Sequence, residues 1–148
     1  MTALFAPYAP APVQADEPRG MTKLALELLD AREATGPLAV FNFEVQGGDP
    51  RLGILVADRL SAELKKGGNG VRVVDRKKVL ETVSLHALEP EGFPDHAELK
   101  RLAPMLGARQ IVLGTITCTG KKGLINAMIV VPSNGLVASR SQMAARCP

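Results

Sequence analysis

The stretch GARQIVLGTITCT, residues Gly107–Thr119, decides the fold of this chain. Its first half, Ile111–Leu113, is an unbroken aliphatic run, which is typical of a parallel strand with helices on both faces. After Gly114 the pattern alternates, so that Ile116 and Cys118 share one face and threonines share the other. Alternation is typical of an antiparallel strand with one solvated face. The sequence therefore predicts one long strand with parallel neighbours at its start and a hairpin at its end.

Upstream of this strand the sequence predicts a β-α-β unit. Leu38–Phe43 is the first predicted strand, and a loop over Glu44–Gly48 follows it. Asp49–Pro50 has the form of a helix start, a side-chain cap followed by proline in the first turn. The helix is expected to end at Lys65–Gly68, because cations and glycine suit a helix C-terminus. Val71–Val74 is the next predicted strand, reached by a right-handed crossover.

Three further helices are predicted around this unit. An amphipathic helix over Met21–Glu33, with Thr22 as its N-cap, follows a polar link at Asp16–Gly20. A short helix over Arg76–Ser84, capped by Asp75, is expected to bury Val79, Leu80 and Val83.

The third of these helices lies between a predicted loop, His86–Pro94, and the central strand. Asp95–Glu98 fits a capping box at its start, Pro104 is expected to kink its last turn, and Gly107 is its predicted C-cap.

The chain after Thr119 reads as two hairpins. Gly120–Gly123 is a polar turn, Leu124–Val131 a strand, and Pro132–Gly135 a turn that contains Asn-Gly, a strong hairpin signal. Leu136–Ala145 is the last predicted strand. The predicted fold class is therefore α/β (α+β), with a mixed sheet: a parallel βαβ core followed by an antiparallel three-strand meander, and helices packed on the sheet.

Length and composition indicate one ordinary globular domain. The chain has 148 residues, of which 46% are hydrophobic and 22% charged, and a net charge of +3. That length suits a single domain, which we place at residues 21–148. Residues 1–20 are predicted to be a flexible tail or the remnant of a signal peptide. Met1–Ala15 carries no charge, and Val13–Ala15 before Asp16 resembles a signal cleavage site, although no basic segment precedes it.

The two cysteines, Cys118 and Cys147, are too few for a disulfide scaffold. They could pair in an exported protein, and the pattern alone leaves this open. A core thiol and a separate tail thiol is the favoured interpretation.

The usual catalytic and ligand-binding patterns are missing from the sequence. Gly48 and Gly53 have the separation of a phosphate loop, but Ile54 and Leu55 stand where the lysine and hydroxyl residue belong. Asp49 would also place a carboxylate where a phosphate would sit. No nucleotide, cofactor or metal site and no enzymatic activity is therefore predicted.

Histidines and nucleophiles give no site either. His86 and His96 flank an acidic loop, but no predicted helix carries a histidine with a second ligand three or four residues away. Neither cysteine has an evident histidine partner. Asp75 and Arg76 adjoin at a strand-to-helix corner, which we interpret as a cap and a surface ion pair.

Nucleic acid and a spanning helix are not predicted. Basic pairs such as Lys65–Lys66 and Lys121–Lys122 lie at helix ends and turns, without aromatic residues for base stacking. No apolar run approaches the roughly 20 residues that cross a bilayer.

Several segments together resemble the curli-channel CsgG and flagellar FlgO group of bacterial envelope proteins. They include the predicted strand Leu38–Phe43, the helix segment Leu60–Leu64, the corner Val71–Arg76, the segment Leu106–Thr117 and the last hairpin Asn134–Ser139. In order and spacing the resemblance covers about Leu24 to Ala145.

The resemblance implies a fold like the N-terminal domain of TolB. It also implies a non-enzymatic, exported protein of the periplasm or outer membrane that serves assembly or secretion of surface structures such as curli or flagella. Expected partners are other envelope proteins or further copies of the chain, and peripheral membrane association is compatible with it. Related domains occur in lipoproteins that activate peptidoglycan synthases, and TolB-like domains also occur as cytoplasmic ligand sensors, so both remain alternatives.

Three departures from the family pattern bear on function. The chain as written has no lipid-attachment cysteine near its start. Its connections are too brief for the membrane-spanning hairpins of the curli channel. The acidic-Arg corner of the family stands here as Asp75–Arg76, with Asp in place of the commoner Glu. A peripheral envelope module is therefore expected in place of a pore.

Overall fold

The computed structural model describes residues 17–31, 36–67, 71–85 and 94–148. The predicted loop at His86–Pro94, apart from Pro94, and the first sixteen residues lie outside this part of the chain. In chain order the elements are α1 (Glu17–Ala31), β1 (Leu38–Val40), β2 (Glu44–Gln46), α2 (Arg51–Gly67), α3 (Arg76–Leu85), α4 (His96–Leu106), β3 (Gln110–Thr119), β4 (Lys122–Val131) and β5 (Leu136–Arg146).

The described strands form one mixed sheet, which confirms the predicted fold class. Its order is β1-β3-β4-β5, with β2 also beside β3. β1 and β2 run parallel to β3, whereas β4 and β5 follow as antiparallel hairpins. β3 is thus the central strand on which both halves of the sheet are built.

The partners of β3 are arranged differently from the prediction. The parallel strands β1 and β2 lie along one edge of β3, from Gln110 to Thr117. The antiparallel strand β4 pairs with the other edge from Ile111 to Thr119. The parallel neighbour predicted at the start of β3 and the hairpin predicted at its end are both present. The expected division between them was wrong, because β2 is also parallel beside Thr115–Thr117 and β4 pairs along almost the whole strand.

The helices cover the two faces of the sheet to different extents. We call the side under α1 and α2 the front face and the side under α3 and α4 the back face. The front-face core extends from Val112 to Cys118 along β3. The back-face core uses Ile111 and Leu113 of β3 and ends there. The described helices therefore cover the lower half of the sheet, from Thr115 to Thr119 on β3 and beside it, on the front face only.

Two predicted helix boundaries hold and one does not. Asp95 and Glu98 form the expected capping box at α4, and Gly107 ends it in the left-handed conformation with φ 67°. α1 instead begins at Glu17, so Thr22 lies inside the helix and Glu17–Gly20 is not a link. Proline is tolerated there because the first helical N–H groups have no intrahelical acceptor. The predicted end at Glu33 lies outside the described residues.

The first predicted strand is divided. β1 ends at Val40, and Glu44–Gln46, expected to be a loop, forms β2. Between them the Phe43 ring packs on Gly114, where an added Cβ would lie 2.1 Å from Phe43 Cε2. The Phe43 N–H donates to Gly53 O on α2 at 3.1 Å. Because this irregular segment packs into the front-face core and hydrogen-bonds to α2, it is not a continuous strand between β1 and β2.

The predicted strand Val71–Val74 is reduced to a single bridge. Val73 bridges in parallel to Leu38, with Arg72 O accepting from Leu38 N at 2.8 Å and Leu38 O accepting from Val74 N at 2.7 Å. The parallel neighbour exists, but it is too short to count as a strand. On α3, Val79 is buried as expected whereas Leu80 is 36% exposed, which corrects its predicted burial.

Candidate interaction surface

The half-covered end of the sheet is closed by a disulfide. Cys118 on β3 and Cys147 after β5 are bonded, with their Cα atoms 5.9 Å apart, and both are buried. The interpretation as two separate thiols was therefore wrong. Sequence alone could not decide this, because a separation of 29 residues does not give a distance. The two cysteines meet because β4 lies between β3 and β5 and Gly123 on β4 leaves room for the bond across it. Cys147 N also donates to Lys121 O at 2.9 Å.

Two glycines provide the space for this disulfide. A Cβ on Gly48, before α2, would lie 2.8 Å from Cys118 Sγ, and one on Gly123, on β4, would lie 2.7 Å from Cys147 Sγ. Gly48, one of the two glycines that suggested a phosphate loop, thus has a packing role. Gly53, the other one, also has a packing role, since a Cβ there would lie 2.0 Å from Phe43 O.

The start of α2 is occupied by its own side chains. Asp49 Oδ1 accepts from Arg51 N at 2.9 Å, and its carboxylate accepts from the Arg51 guanidinium at 2.7 Å. These hydrogen bonds hold the pKa of Asp49 below its ordinary value. A carboxylate at this position leaves no place for a phosphate, as the sequence indicated.

Arg76 is a buried structural residue, so the predicted surface ion pair with Asp75 is wrong. Its Nε donates to Asp58 at 2.8 Å, its Nη1 donates to Val40 O at 2.8 Å, and its Nη2 donates to Asn42 Oδ1. The planar guanidinium fork suits three acceptors that lie on two different segments. Arg76 thereby fastens α3 to α2 and to the end of β1. The corner motif was visible in the sequence, but its acceptors were not.

The lower back face of the sheet is polar and open to solvent in the part of the chain that the structure describes. Its cross-strand rows follow from the register: Glu44, Thr115, Asn126 and Gln142 in one row, then Gln46, Thr117, Leu124 and Ala144 in the next. A shallow depression of about 570 Å³ lies beside the first row. Apart from Leu124, which is 39% exposed, the side chains of these rows are polar or small, so leaving them uncovered costs little free energy.

β5 is one of the two edges of the sheet among the described strands, and β1 and β2 lie at the other. Its first residues, Leu136 and Val137, are exposed large aliphatic side chains. The strand carries Arg140 and Arg146 and no acidic residue. α1 packs on its front face, where Ser141 Oγ donates to Glu27. The outer edge and the back face of β5 together form the surface that we call the β5 edge surface.

The remaining candidates from the sequence take structural positions. His96 Nε2 donates to Pro132 O at 2.8 Å and its ring packs against Gly135, so it holds the β4–β5 turn. Within residues 17–31, 36–67, 71–85 and 94–148, no three His, Cys, Asp or Glu side chains are grouped as metal ligands. In the same ranges no helix combines the length and the apolar character needed to cross a membrane. His86 lies outside the described residues.

The fold is similar to that of solved bacterial proteins. The LpoB C-terminal domain from Escherichia coli matches with a TM-score of 0.71 at 14% identity, over 88% of this chain and 98% of that one. The same domain from Salmonella enterica gives 0.70 at 16% identity, with the same coverage. Lipoprotein GNA1162 from Neisseria meningitidis gives 0.59 at 18% identity, over 75% and 80% of the two chains. At such identities the likeness concerns the fold alone.

Sequence comparison identifies a family for this chain. No curated protein matches the chain. The FlgO protein family matches over residues 23–146, which include every described element except the beginning of α1 and the last two residues. The resemblance to the flagellar group is thereby confirmed, while those to the curli channel and to TolB stay predictions. The chain belongs to the FlgO protein family.

Proposed function

We propose that this chain is a non-enzymatic interaction module of the bacterial cell envelope that serves assembly or secretion of surface structures. The observation that carries the proposal is the family match, which spans residues 23–146. The structural positions of three residues that were candidates for a chemical site also support the proposal. Asp49, Arg76 and His96 are each engaged in hydrogen bonds within the fold.

The disulfide supports an exported location, in the periplasm or at the outer membrane. Disulfides persist in oxidising compartments and are rare in the reducing cytoplasm. Cys118 and Cys147 are buried as a pair beside Gly48 and Gly123, whose missing side chains give the two sulfur atoms room. A site shaped around the bonded pair favours a protein that folds where the bond can form.

The β5 edge surface is the proposed contact with other envelope proteins or with further copies of the chain. An edge strand offers unpaired main-chain groups to an added strand, which gives affinity through the backbone. Leu136 and Val137 add exposed apolar area at the start of β5, and Arg140 and Arg146 add positive charge. Because β5 has no acidic residue, an acidic extended segment would fit it better than β5 of a second copy would.

Cell fractionation with thiol labelling tests the location. The native-length protein, tagged at its C-terminus, is expected in the periplasmic or membrane fraction with both thiols protected until a reductant is added. Recovery in the cytoplasm with both thiols free would refute export. The Cys118→Ala/Cys147→Ala variant is the control for the labelling signal.

Site-specific photocrosslinking tests the surface. A photoreactive amino acid at Gln142, on the back face of β5, is expected to give adducts in living cells. The same amino acid at Ala62, exposed on α2 on the opposite side of the sheet, is the control and should give none. Equal labelling at both positions, or no adduct at either, would contradict the assigned surface.

The similarity to the LpoB C-terminal domain favours a second candidate, activation of peptidoglycan synthesis. The fold matches over 98% of that domain. Adding the purified protein to a peptidoglycan synthase should raise the rate of glycan polymerisation if this candidate is correct.

A cytoplasmic ligand sensor is a further alternative, and a thermal-shift screen separates it from the envelope role. A reproducible rise of the melting temperature with one nucleotide would favour the sensor.

A further inference from the structure

β5 offers the longest free edge among the described strands. It has 11 residues, Leu136–Arg146, and in the described sheet it pairs only with β4. The strands at the opposite edge, β1 and β2, have 3 residues each, and Val73 bridges to Leu38 there. The one register shift in the β4–β5 pairing comes before Ser139. From Ser139 onwards, the outward N–H and C=O groups of β5 therefore form an unbroken row.

This edge lacks most of the features that protect a sheet edge from an added strand. Short strands, proline, lysine, inward charges and bulges usually give that protection. β5 has no proline, no lysine and no acidic residue. Its charged side chains, Arg140 and Arg146, lie on the back face, opposite Met128 and Lys122 of β4. Because like charges across neighbouring strands are unfavourable, the edge repels a basic strand and remains open to an acidic one.

Side chains that can bind a carboxylate lie beside this edge on the back face. Arg140 and Gln142 are exposed, and within the described residues neither side chain has a hydrogen bond or an ion pair. Together with Thr115 and Asn126 they line the depression of about 570 Å³. Neighbouring strands are about 4.8 Å apart, so a back-facing glutamate of an added strand would reach the depression. Its carboxylate would accept hydrogen bonds from a guanidinium and an amide.

The front side of the edge favours different side chains. Glu27 of α1 lies there and accepts a hydrogen bond from Ser141. A front-facing acidic side chain of an added strand would approach this carboxylate, and two like charges repel each other. Successive side chains of a strand point to opposite faces of the sheet. An acidic segment therefore fits best when its carboxylates occupy every second position and all face the back.

We propose that β5 receives an extended acidic segment of a partner protein as an added strand, with glutamates at alternate positions that face Arg140 and Gln142. Main-chain hydrogen bonds give such a complex its affinity, and the depression beside Arg140 selects a long acidic side chain. The inference rests on the proposed function, because it names the chemistry of the partner at the β5 edge surface. A second copy of the chain fits less well, since its own β5 carries no acidic residue.

Synthetic peptides tested against the whole oxidised protein examine the order of side chains. In fluorescence anisotropy, a labelled peptide of four Thr-Glu repeats is expected to bind saturably. A block peptide of the same composition, with all threonines before all glutamates, is expected to bind more weakly because half of its carboxylates face the front. Hydrogen exchange of residues 136–146 is expected to slow when the alternating peptide binds.

N-methylation tests the main-chain hydrogen bonds. Two variants of the alternating peptide carry N-methyl groups on all threonines or on all glutamates. In an added strand only one of these two sets of N–H groups points towards β5, since the direction alternates with each residue. One methylated peptide is therefore expected to lose binding and the other to keep it.

A charge reversal on β5 tests the acidic preference. Arg140→Glu changes an exposed side chain and is expected to keep the fold. It should weaken binding of the Thr-Glu peptide roughly threefold to tenfold and strengthen binding of a Thr-Lys peptide by a similar factor. Arg72→Glu is the matched control, because Arg72 is exposed beside Leu38 at the other edge of the sheet. This control should leave both affinities unchanged.

The outcomes are distinct. Binding that neither methylated peptide loses would overturn the added strand. Equal binding of the block peptide, or unchanged affinity in Arg140→Glu, would overturn the alternating acidic preference. Dimers of the chain that the peptide does not dissociate would show a second copy at the edge and would also overturn the proposal. Crosslinked adducts at Gln142 without peptide binding would refute this proposal alone, whereas peptide binding without adducts would refute the proposed cellular contact.

Discussion

Both halves of β3 have a parallel strand on one side, β1 beside the first half and β2 beside the second, and β4 on the other side, yet the helices cover them differently. Gln110–Leu113 is buried completely, since α1 and α2 cover its front face and α3 and α4 its back face. In Thr115–Thr119 the front-facing residues Ile116 and Cys118 are buried and the threonines are half-buried or exposed. The change from an aliphatic run to alternation therefore reports which faces are covered. It does not report whether the neighbouring strands are parallel or antiparallel.

A pair of aspartate substitutions offers the strongest test of this difference. Val112→Asp is expected to cost more than about 4 kcal/mol and to prevent folding, because Val112 is fully buried and the carboxylate would have no partner. Thr117→Asp on the exposed back face is expected to stay within about 1 kcal/mol of the wild type. Circular dichroism and urea denaturation measure both. A cooperative transition of Val112→Asp at the wild-type midpoint would contradict the assignment of the covered half.

Removal of the disulfide tests what closes the half-covered end. Cys118→Ala combined with Cys147→Ala is expected to lower the free energy of unfolding by about 2–4 kcal/mol, since the bond closes a loop with a sequence separation of 29. Urea denaturation measures the loss. A reductant should lower the midpoint of the wild type and leave that of the double variant unchanged. A wild type that is insensitive to reductant would show that the bond contributes nothing.

The boundary between the halves is tested by Gly114→Ala. An added Cβ would lie 2.1 Å from Phe43 Cε2, so the ring must move and the substitution is expected to cost about 1–3 kcal/mol. Thermal melting compares Gly114→Ala, Phe43→Leu and the double variant. We expect the double variant to lose less than the sum of the single losses, because both changes act on one contact. Additive losses would argue against that contact.

The smallest expected effect concerns the cap of α2. The pKa of Asp49 is lowered in the folded state, chiefly by hydrogen bonds from the Arg51 side chain. The folded state therefore binds this proton less tightly than the unfolded state, and the contribution to stability is present above the unfolded pKa and lost as pH falls through the folded one. Asp49→Asn should lower the melting temperature near neutral pH and lose that effect in acid. An equal decrease at both pH values would exclude an ionic origin.

The order of elements could be predicted because it depends on local signals. The capping box at Asp95, the left-handed glycine at Gly107 and the Asn-Gly turn before β5 each act through neighbouring residues. α1 was misplaced at its start because a proline in a first turn resembles a linker. β1 and β2 were misjudged because the detour at Phe43 is set by contacts with Gly53 and Gly114, which lie far away in sequence.

The mixed sheet, the ends of α2 and α4 and the family resemblance could all be predicted from local patterns, since periodicity, caps and turns are properties of short stretches. The pairing of Cys118 with Cys147 and the burial of Arg76 against Asp58 and Val40 became visible only in the folded arrangement. Each of these depends on the distance between segments remote in sequence. That distance is set by how the helices pack on the sheet, and no local pattern encodes it.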